Sequence, residues 1–284
     1  MSETENLQPA PLRPKKRFGQ HFLISPTVLG GILRLAELTS DDMVLEIGAG
    51  TGTLTEALAG RVRRLLAIEL DRDLIMALRQ RFARQPQVEI IHADALHFDF
   101  ARLDEPVKVV ANLPYGTAVP IVMRLLEATS GLRLAVVMLQ REVAERLCAK
   151  PATKAYGSLT LMAQWHAVVE KGFNVPPSAF SPAPKVVSTV IKLTPRPQPP
   201  VPVQDEGWLF RVIRGGFGQR RKTLVNALAA AFQHRVEPHV LRQILANVGI
   251  DAGRRGETLT LLEYARLADA LREALASGRE AIHV

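Results

Sequence analysis

The 284-residue chain has a single cysteine, Cys148. That excludes an internal disulfide and any cysteine-based zinc site. It follows Leu147 in an amphipathic stretch, where a small buried hydrophobe is the expected role rather than a nucleophile. A reducing, cytoplasmic compartment fits this usage. Long apolar runs are missing as well. No stretch approaches the roughly 18 consecutive apolar residues that a membrane helix needs. Residues 1–14 are polar, contain proline and lack the apolar centre of a signal peptide, so they read as a disordered tail. The seven histidines are scattered with no HxxxH pair, and no metal constellation is expected. No internal repeat is visible.

What is present is a chain with 47% hydrophobic and 23% charged residues, enough for a well-filled core. Its net charge of +8 attracts polyanions and speeds their encounter, although simple solubility explains the same figure.

Strand-like and helix-like segments alternate through the first two thirds. Met43–Ile47, Leu65–Leu70, Val88–His92, Val107–Asn112 and Leu132–Leu139 read as strands, several of them apolar almost throughout, as buried parallel strands are. Thr53–Ala59, Arg72–Ala83 and Thr117–Ala128 read as helices between them, and Pro26–Leu38 as a helix capped by Ser25. The pattern predicts an open parallel α/β sheet covered on both faces. Residues 194–204 then hold five prolines and form a stiff linker. Beyond it Glu206–Gly216, Arg220–Gln233, Glu237–Val248 and Leu259–Leu275 read as helices of a small second domain. The expected organisation is a tail over 1–14, a catalytic domain over 15–193, the linker, and a helical domain over 205–284.

Val44–Leu54 reads VLEIGAGTGTL: a strand runs into Gly48, Gly50 and Gly52, and a helix follows. Glycines permit a tight turn and let a ligand approach the backbone. About twenty residues on, at the end of the next strand, Glu69 can hold ribose hydroxyls. The spacing is GxGxG, with no Lys-Ser or Lys-Thr behind it, so neither a dinucleotide fingerprint nor a phosphate loop is present. Glu46 just before the glycines repels a pyrophosphate but suits a cationic sulfonium cofactor with a free amine. On these residues the chain resembles Class I methyltransferases that use S-adenosylmethionine. Asp94 in HADAL matches the position that, in that class, meets the cofactor's adenine amine, with Ala95 beside it; a turn or cap aspartate is the other reading.

Asn112–Leu113–Pro114–Tyr115 follows the fourth strand, at the carboxyl edge where such sheets bind ligands. Adenine N6 is a poor nucleophile because its lone pair is delocalised into the ring. A side-chain carbonyl from Asn112 and the main-chain carbonyl of Leu113 can accept its two hydrogens and favour a pyramidal nitrogen. Pro114 stiffens the turn, and Tyr115 offers a face for base stacking. The four residues match the (D/N)PP(Y/F) motif of amino methyltransferases in the form that points to N6 of adenine.

FGQHFL at 18–23, NLPY at 112–115, FNVPPSAFSPAPKVVS at 173–188, FGQRRKTLVNAL at 217–228 and RGE at 255–257 occur in order over nearly the whole chain. Together they resemble the small-subunit ribosomal RNA adenine dimethyltransferase family. The resemblance implies a Rossmann-like Class I methyltransferase sheet with a small all-helical C-terminal domain for RNA recognition. It implies S-adenosylmethionine as cofactor, N6,N6-dimethylation of two adjacent adenosines in a hairpin near the 3′ end of small-subunit rRNA, and a role in subunit assembly. The expected partner is that rRNA in a pre-30S-like particle, with no membrane or metal and a monomeric enzyme. Cofactor contacts are implied at Gln20, His21, Leu23, Gly48, Glu69, Asp94 and Asn112. Phe180, in a proline-rich loop, is expected to close over the target base opposite Tyr115. Lys15, Lys16 and Arg17, and Arg220, Arg221 and Lys222 at the start of a helix, are expected phosphate contacts. The family often has Asn at His21 and Ala at Gly256.

Overall fold

A computed structural model of the chain describes residues 15, 20–103, 105–128, 131–233 and 236–276. The expected tail and the candidate RNA contacts Lys16 and Arg17 lie outside the described residues. Compactness divides the chain into two units: one holds the segment through Arg141 together with Lys171–Leu193, the other Glu142–Glu170 together with Thr194 onward.

In the first unit, β1 (Phe22–Leu23) leads to α1 (Pro26–Ala36), β2 (Met43–Ile47), α2 (Thr53–Ala59), β3 (Arg64–Glu69), α3 (Arg72–Arg81) and β4 (Val88–His92). Then come β5 (Val107–Asn112), α4 (Ala118–Ala128) and β6 (Leu132–Gln140). Ser25 caps α1 by accepting from Val28 N–H, with Pro26 at the first position, as the sequence predicts. Asp71 caps α3 through Asp73 N–H. All five residues of β2 are buried, which explains a strand reading apolar on both faces.

After β6 the chain forms α5 (Arg141–Leu147), α6 (Ser158–His166), β7 (Ala167–Val175), β8 (Phe180–Ser181) and β9 (Ser188–Pro195). The large sheet has the order β4-β3-β2-β5-β6-β9-β7. The first five strands pair in parallel, but β9 joins β6 antiparallel. The fully parallel expectation is therefore corrected at this edge. The chain reaches β9 from β6 through α5, α6, β7 and β8 and runs along β6 in the opposite sense. The order reverses between β2 and β5, so their carboxyl ends flank the crevice where such sheets hold ligands.

The second unit continues with α7 (Glu206–Phe217), α8 (Leu224–Ala231), α9 (Pro238–Asn247) and α10 (Leu261–Ala276). Its core joins Tyr156, Leu161 and Trp165 to Leu209, Leu228, Leu245 and Leu267. The first unit ends at Leu193, while residues 142–170, expected within the catalytic domain, fall in the second unit, where α6 supplies Leu161 and Trp165 to the helical core. The proline-rich segment is no free linker either. Strand β9 runs to Pro195, Val201 and Val203 pack on the helical core, and Gln204 binds Asp269 and Glu273 of α10. Helix α8 starts at Leu224, so Arg220–Lys222 sit on the turn before it rather than inside it. Cys148 is half-buried. No helix among the described residues is long and apolar enough to cross a membrane.

Candidate active site

At the crevice between β2 and β5 lies a cavity of about 350 Å³, within the range of small-ligand sites. The sequence candidates Gln20, His21, Leu23, Glu46, Gly48, Gly50, Glu69, Asp94, Ala95 and Asn112–Tyr115 all line it. Residues separated by nearly a hundred positions thus meet because two adjacent strands end at the same edge.

The glycine loop leaves β2 with positive φ at Gly48 (80°), Gly50 (59°) and Gly52 (82°), a region that side chains resist. A Cβ on Gly50 would also stand 3.2 Å from the Phe22 ring. Gly52 plays a different part from the one expected. It caps α2 and does not line the cavity; a Cβ there would meet Leu78 and Phe82 at 2.9 Å. Its smallness lets α3 pack closely rather than admitting cofactor.

Glu69 is 8% exposed. Its Oε2 accepts from Gly50 N–H, and its Oε1 accepts from Leu70 and Asp71 N–H, all at 2.8 Å. A carboxylate has about four acceptor sites, so this one braces the loop and these bonds leave one site, on Oε2. Asp94 accepts from Leu96 N–H at 2.8 Å and pairs with His97 at 3.2 Å. It therefore fills the turn-capping role while standing at the cavity wall.

Glu46 is 0% exposed, and neither carboxyl oxygen has a hydrogen-bond partner. Burial pushes its pKa up to about 8, and the Glu69 charge adds to the rise. Thr55 stands close enough to oppose it, although no hydrogen-bond geometry is met between the two. A cavity walled by an unpartnered buried acid, a second acid and glycine backbone fits a cationic nucleoside such as S-adenosylmethionine.

On the opposite wall, Asn112 Nδ2 donates to the His21 carbonyl at 3.1 Å. Since a carbonyl only accepts, the amide is fixed with Oδ1 on its other side. Leu113 N–H donates to Met138 O. The Tyr115 hydroxyl bonds Ser188 Oγ at 2.7 Å; burial raises the phenol pKa against the effect of that bond. The His21 ring stacks on Tyr115 at 5.5 Å, and its Nδ1 lies 2.8 Å from Pro182 O.

Phe180 is not brought to the cavity. It is 3% exposed, pairs with Leu23 through β8 and β1, and packs in the core with Val28 and Ala179. The ring that stacks on Tyr115 here is that of His21. Sequence reasoning missed Ser188, although it ends the quoted FNVPPSAFSPAPKVVS stretch. It also missed a latch: Lys15 Nζ bonds Asp71 and Asp73 at 2.6 Å each, and Gln20 bonds Asp71 at 3.1 Å. Burial works to raise the Asp71 pKa, but Lys15 and Gln20 outweigh it and hold it below the ordinary carboxylate value. Lys15 is therefore engaged within the chain. So is Arg220, which binds Glu257 and the Lys154 carbonyl. Arg221 and Lys222 are exposed.

The family model described as ribosomal RNA adenine dimethylase matches residues 12–267. A ribosomal RNA small subunit methyltransferase A of Alkaliphilus metalliredigens is 44% identical, over 90% of this chain and 91% of that protein. Among solved structures, a dimethyladenosine transferase from Plasmodium falciparum is similar with a TM-score of 0.77 and 27% identity, covering 91% of this chain and 98% of that one. The 23S rRNA methyltransferase ErmE is similar with a TM-score of 0.68 and 27% identity, covering 88% and 99%. With the match running almost end to end, the chain belongs to the ribosomal RNA adenine dimethylase family, whose methyl donor is S-adenosylmethionine.

Proposed function

We propose that the chain dimethylates N6 of two adjacent adenosines in a hairpin loop near the 3′ end of small-subunit rRNA. It acts as a monomer in the cytoplasm on a pre-30S-like particle, and the helical C-terminal part, residues 205–284, recognises RNA. The observation that carries the reading is the fixed Asn112 amide, whose Oδ1 is left for a substrate donor by the bond to the His21 carbonyl.

When bound, S-adenosylmethionine supplies a sulfonium-borne methyl group that needs no further activation. The residues then have to orient and exclude. Asn112 Oδ1 and the Leu113 carbonyl accept the two N6 hydrogens and turn the lone pair toward the methyl group. Tyr115, anchored by Ser188, offers its face to the target base, and His21 extends that surface. Glu69 holds a ribose hydroxyl, and Asp94 with Ala95 meets the cofactor's adenine. The methylated nitrogen becomes acidic and loses its proton to water, so no side-chain base is assigned. Arg221 and Lys222 contact phosphates. The family resemblance supports Lys16 and Arg17 in the same role.

The similarity to the 23S rRNA methyltransferase ErmE favours a second reading, methylation of large-subunit rRNA. The closer sequence match to small-subunit enzymes weighs against it. Tritiated methyl transfer to small subunits from cells lacking the modification, with large subunits and naked rRNA alongside, separates them. About four methyls per small subunit, recovered as dimethyladenosine, are expected; label in large subunits would establish the second reading.

A further inference from the structure

Strand β2 is buried along its whole length, yet it carries an acid, Glu46, at the cavity wall. Two features of its surroundings matter. First, neither Glu46 oxygen meets hydrogen-bond geometry with any donor, and Thr55 at the start of α2 is the residue placed to favour an anion. Four of the loop's amides are engaged elsewhere: Gly48 and Ala49 N–H donate to Ile68 O at 2.9 and 3.2 Å, Gly50 N–H to Glu69, and Gly52 N–H to Ala49 O. Second, the charged group acting on Glu46 is another acid, Glu69 on β3; α2 contributes the Thr55 hydroxyl and main-chain N–H, which oppose the rise without overcoming burial. Its neighbours across the sheet are Ala67 on β3 and Val110 on β5. The buried residues of α1 are the apolar Val28, Gly31, Ile32 and Ala36.

An isolated buried carboxylate is so costly that the group takes a proton instead. A cation entering the cavity reverses that balance, because it supplies the missing partner at low dielectric. We propose that Glu46 is a neutral acid in the free protein and releases its proton to solvent when the cofactor binds, so that cofactor capture and proton release are one event. The O–H bond of Glu46 breaks, its electron pair stays on the carboxylate, and the proton passes to buffer. The carboxylate then faces the positive groups of the cofactor. The pKa of about 8 in the free protein agrees with this geometry. The inference rests on reading this cavity as the cofactor site.

Calorimetric titration of the full chain with S-adenosylmethionine tests it, in phosphate and in Tris buffers of different ionisation enthalpy. At about pH 6.5 an α-amino group stays largely protonated, so the cofactor's amine contributes little. Release of about one proton per cofactor is expected for the wild type, and close to none for Glu46→Gln, which binds more weakly. A buffer-independent enthalpy in the wild type overturns the proposal. So does undiminished proton release from Glu46→Gln. Absence of any binding by the wild type would instead overturn the cofactor-site reading itself. If Glu46→Gln does not fold, as judged by circular dichroism, the wild-type pH series decides. The dissociation constant should fall about tenfold per pH unit between about pH 5.5 and 7.5. A flat profile overturns the proposal.

Discussion

Two hydroxyls in the core of the helical unit, those of Tyr156 and Tyr264, each donate to a main-chain carbonyl, Leu259 at 2.8 Å and Gly256 at 3.1 Å. Glu46, equally buried on β2, has a partner for neither oxygen. Glycines divide the same way. In the loop after β2 they hold positive φ, and Gly48 and Gly50 line the cavity. In the helical unit Gly256 serves for closeness alone, since a Cβ there would lie 2.3 Å from Gly216 O and 2.7 Å from the Tyr264 hydroxyl. The two core tyrosine hydroxyls of the helical unit are satisfied by the chain itself. The crevice is held open by its own backbone and finished by what binds. A buried polar network stabilises only when every member is satisfied, so an unsatisfied one marks a place where another molecule belongs.

Substitutions can sharpen that contrast. The largest effect is expected at Asn112. Asn112→Ala should lower methyl transfer by on the order of 10²–10³-fold, as loss of one preorganised polar contact does, while cofactor binding persists in part. Transfer assays with calorimetry check this, and near-normal turnover would remove Asn112 from the mechanism.

Next comes the pH dependence of stability. The folded pKa of Glu46 is raised to about 8 from 4.5, so the folded state holds the extra proton between those values. Its contribution is complete below about pH 4.5 and is lost as pH rises through 8. Relative to Glu46→Gln, the wild type should lose about 1 kcal/mol per pH unit across that window. Parallel slopes in denaturant unfolding of the two proteins would contradict the buried neutral acid.

Smaller effects belong to the helical unit. Gly256→Ala should cost about 1–3 kcal/mol through overpacking while leaving the cofactor dissociation constant unchanged, as melts and calorimetry would show. Tyr264→Phe leaves the Gly256 carbonyl without its donor and should cost about 1 kcal/mol. A change in cofactor affinity for either variant would break the separation between the two regions.

Much of this was legible in the sequence, for identifiable reasons. Apolar runs at Met43–Ile47 and Val107–Asn112 are strands because buried parallel strands leave that pattern. Periodicity names an element but not its neighbour. Hence α6 and the segment before it read as part of the sheet domain, while Tyr156, Leu161 and Trp165 complete the helical core. Likewise β9 turned out antiparallel. In the site, glycine spacing and NLPY located the cavity. Which residues face it depended on packing that no motif encodes. Phe180 is drawn into the core by pairing with β1, Gly52 is claimed by α3, and His21 takes the place beside Tyr115.

The Asn112–His21 bond has a consequence for orientation. Asparagine's amide is nearly symmetric in shape, and only its hydrogen bonds decide which end is which. Here the decision is made by the main chain of a segment 91 positions earlier, tied down by Gln20 and Lys15 on Asp71. Lifting that segment would let the amide spin and offer hydrogens where an acceptor is needed. On the proposed mechanism, the orientation of the Asn112 amide therefore depends on the segment that carries His21 being held in place.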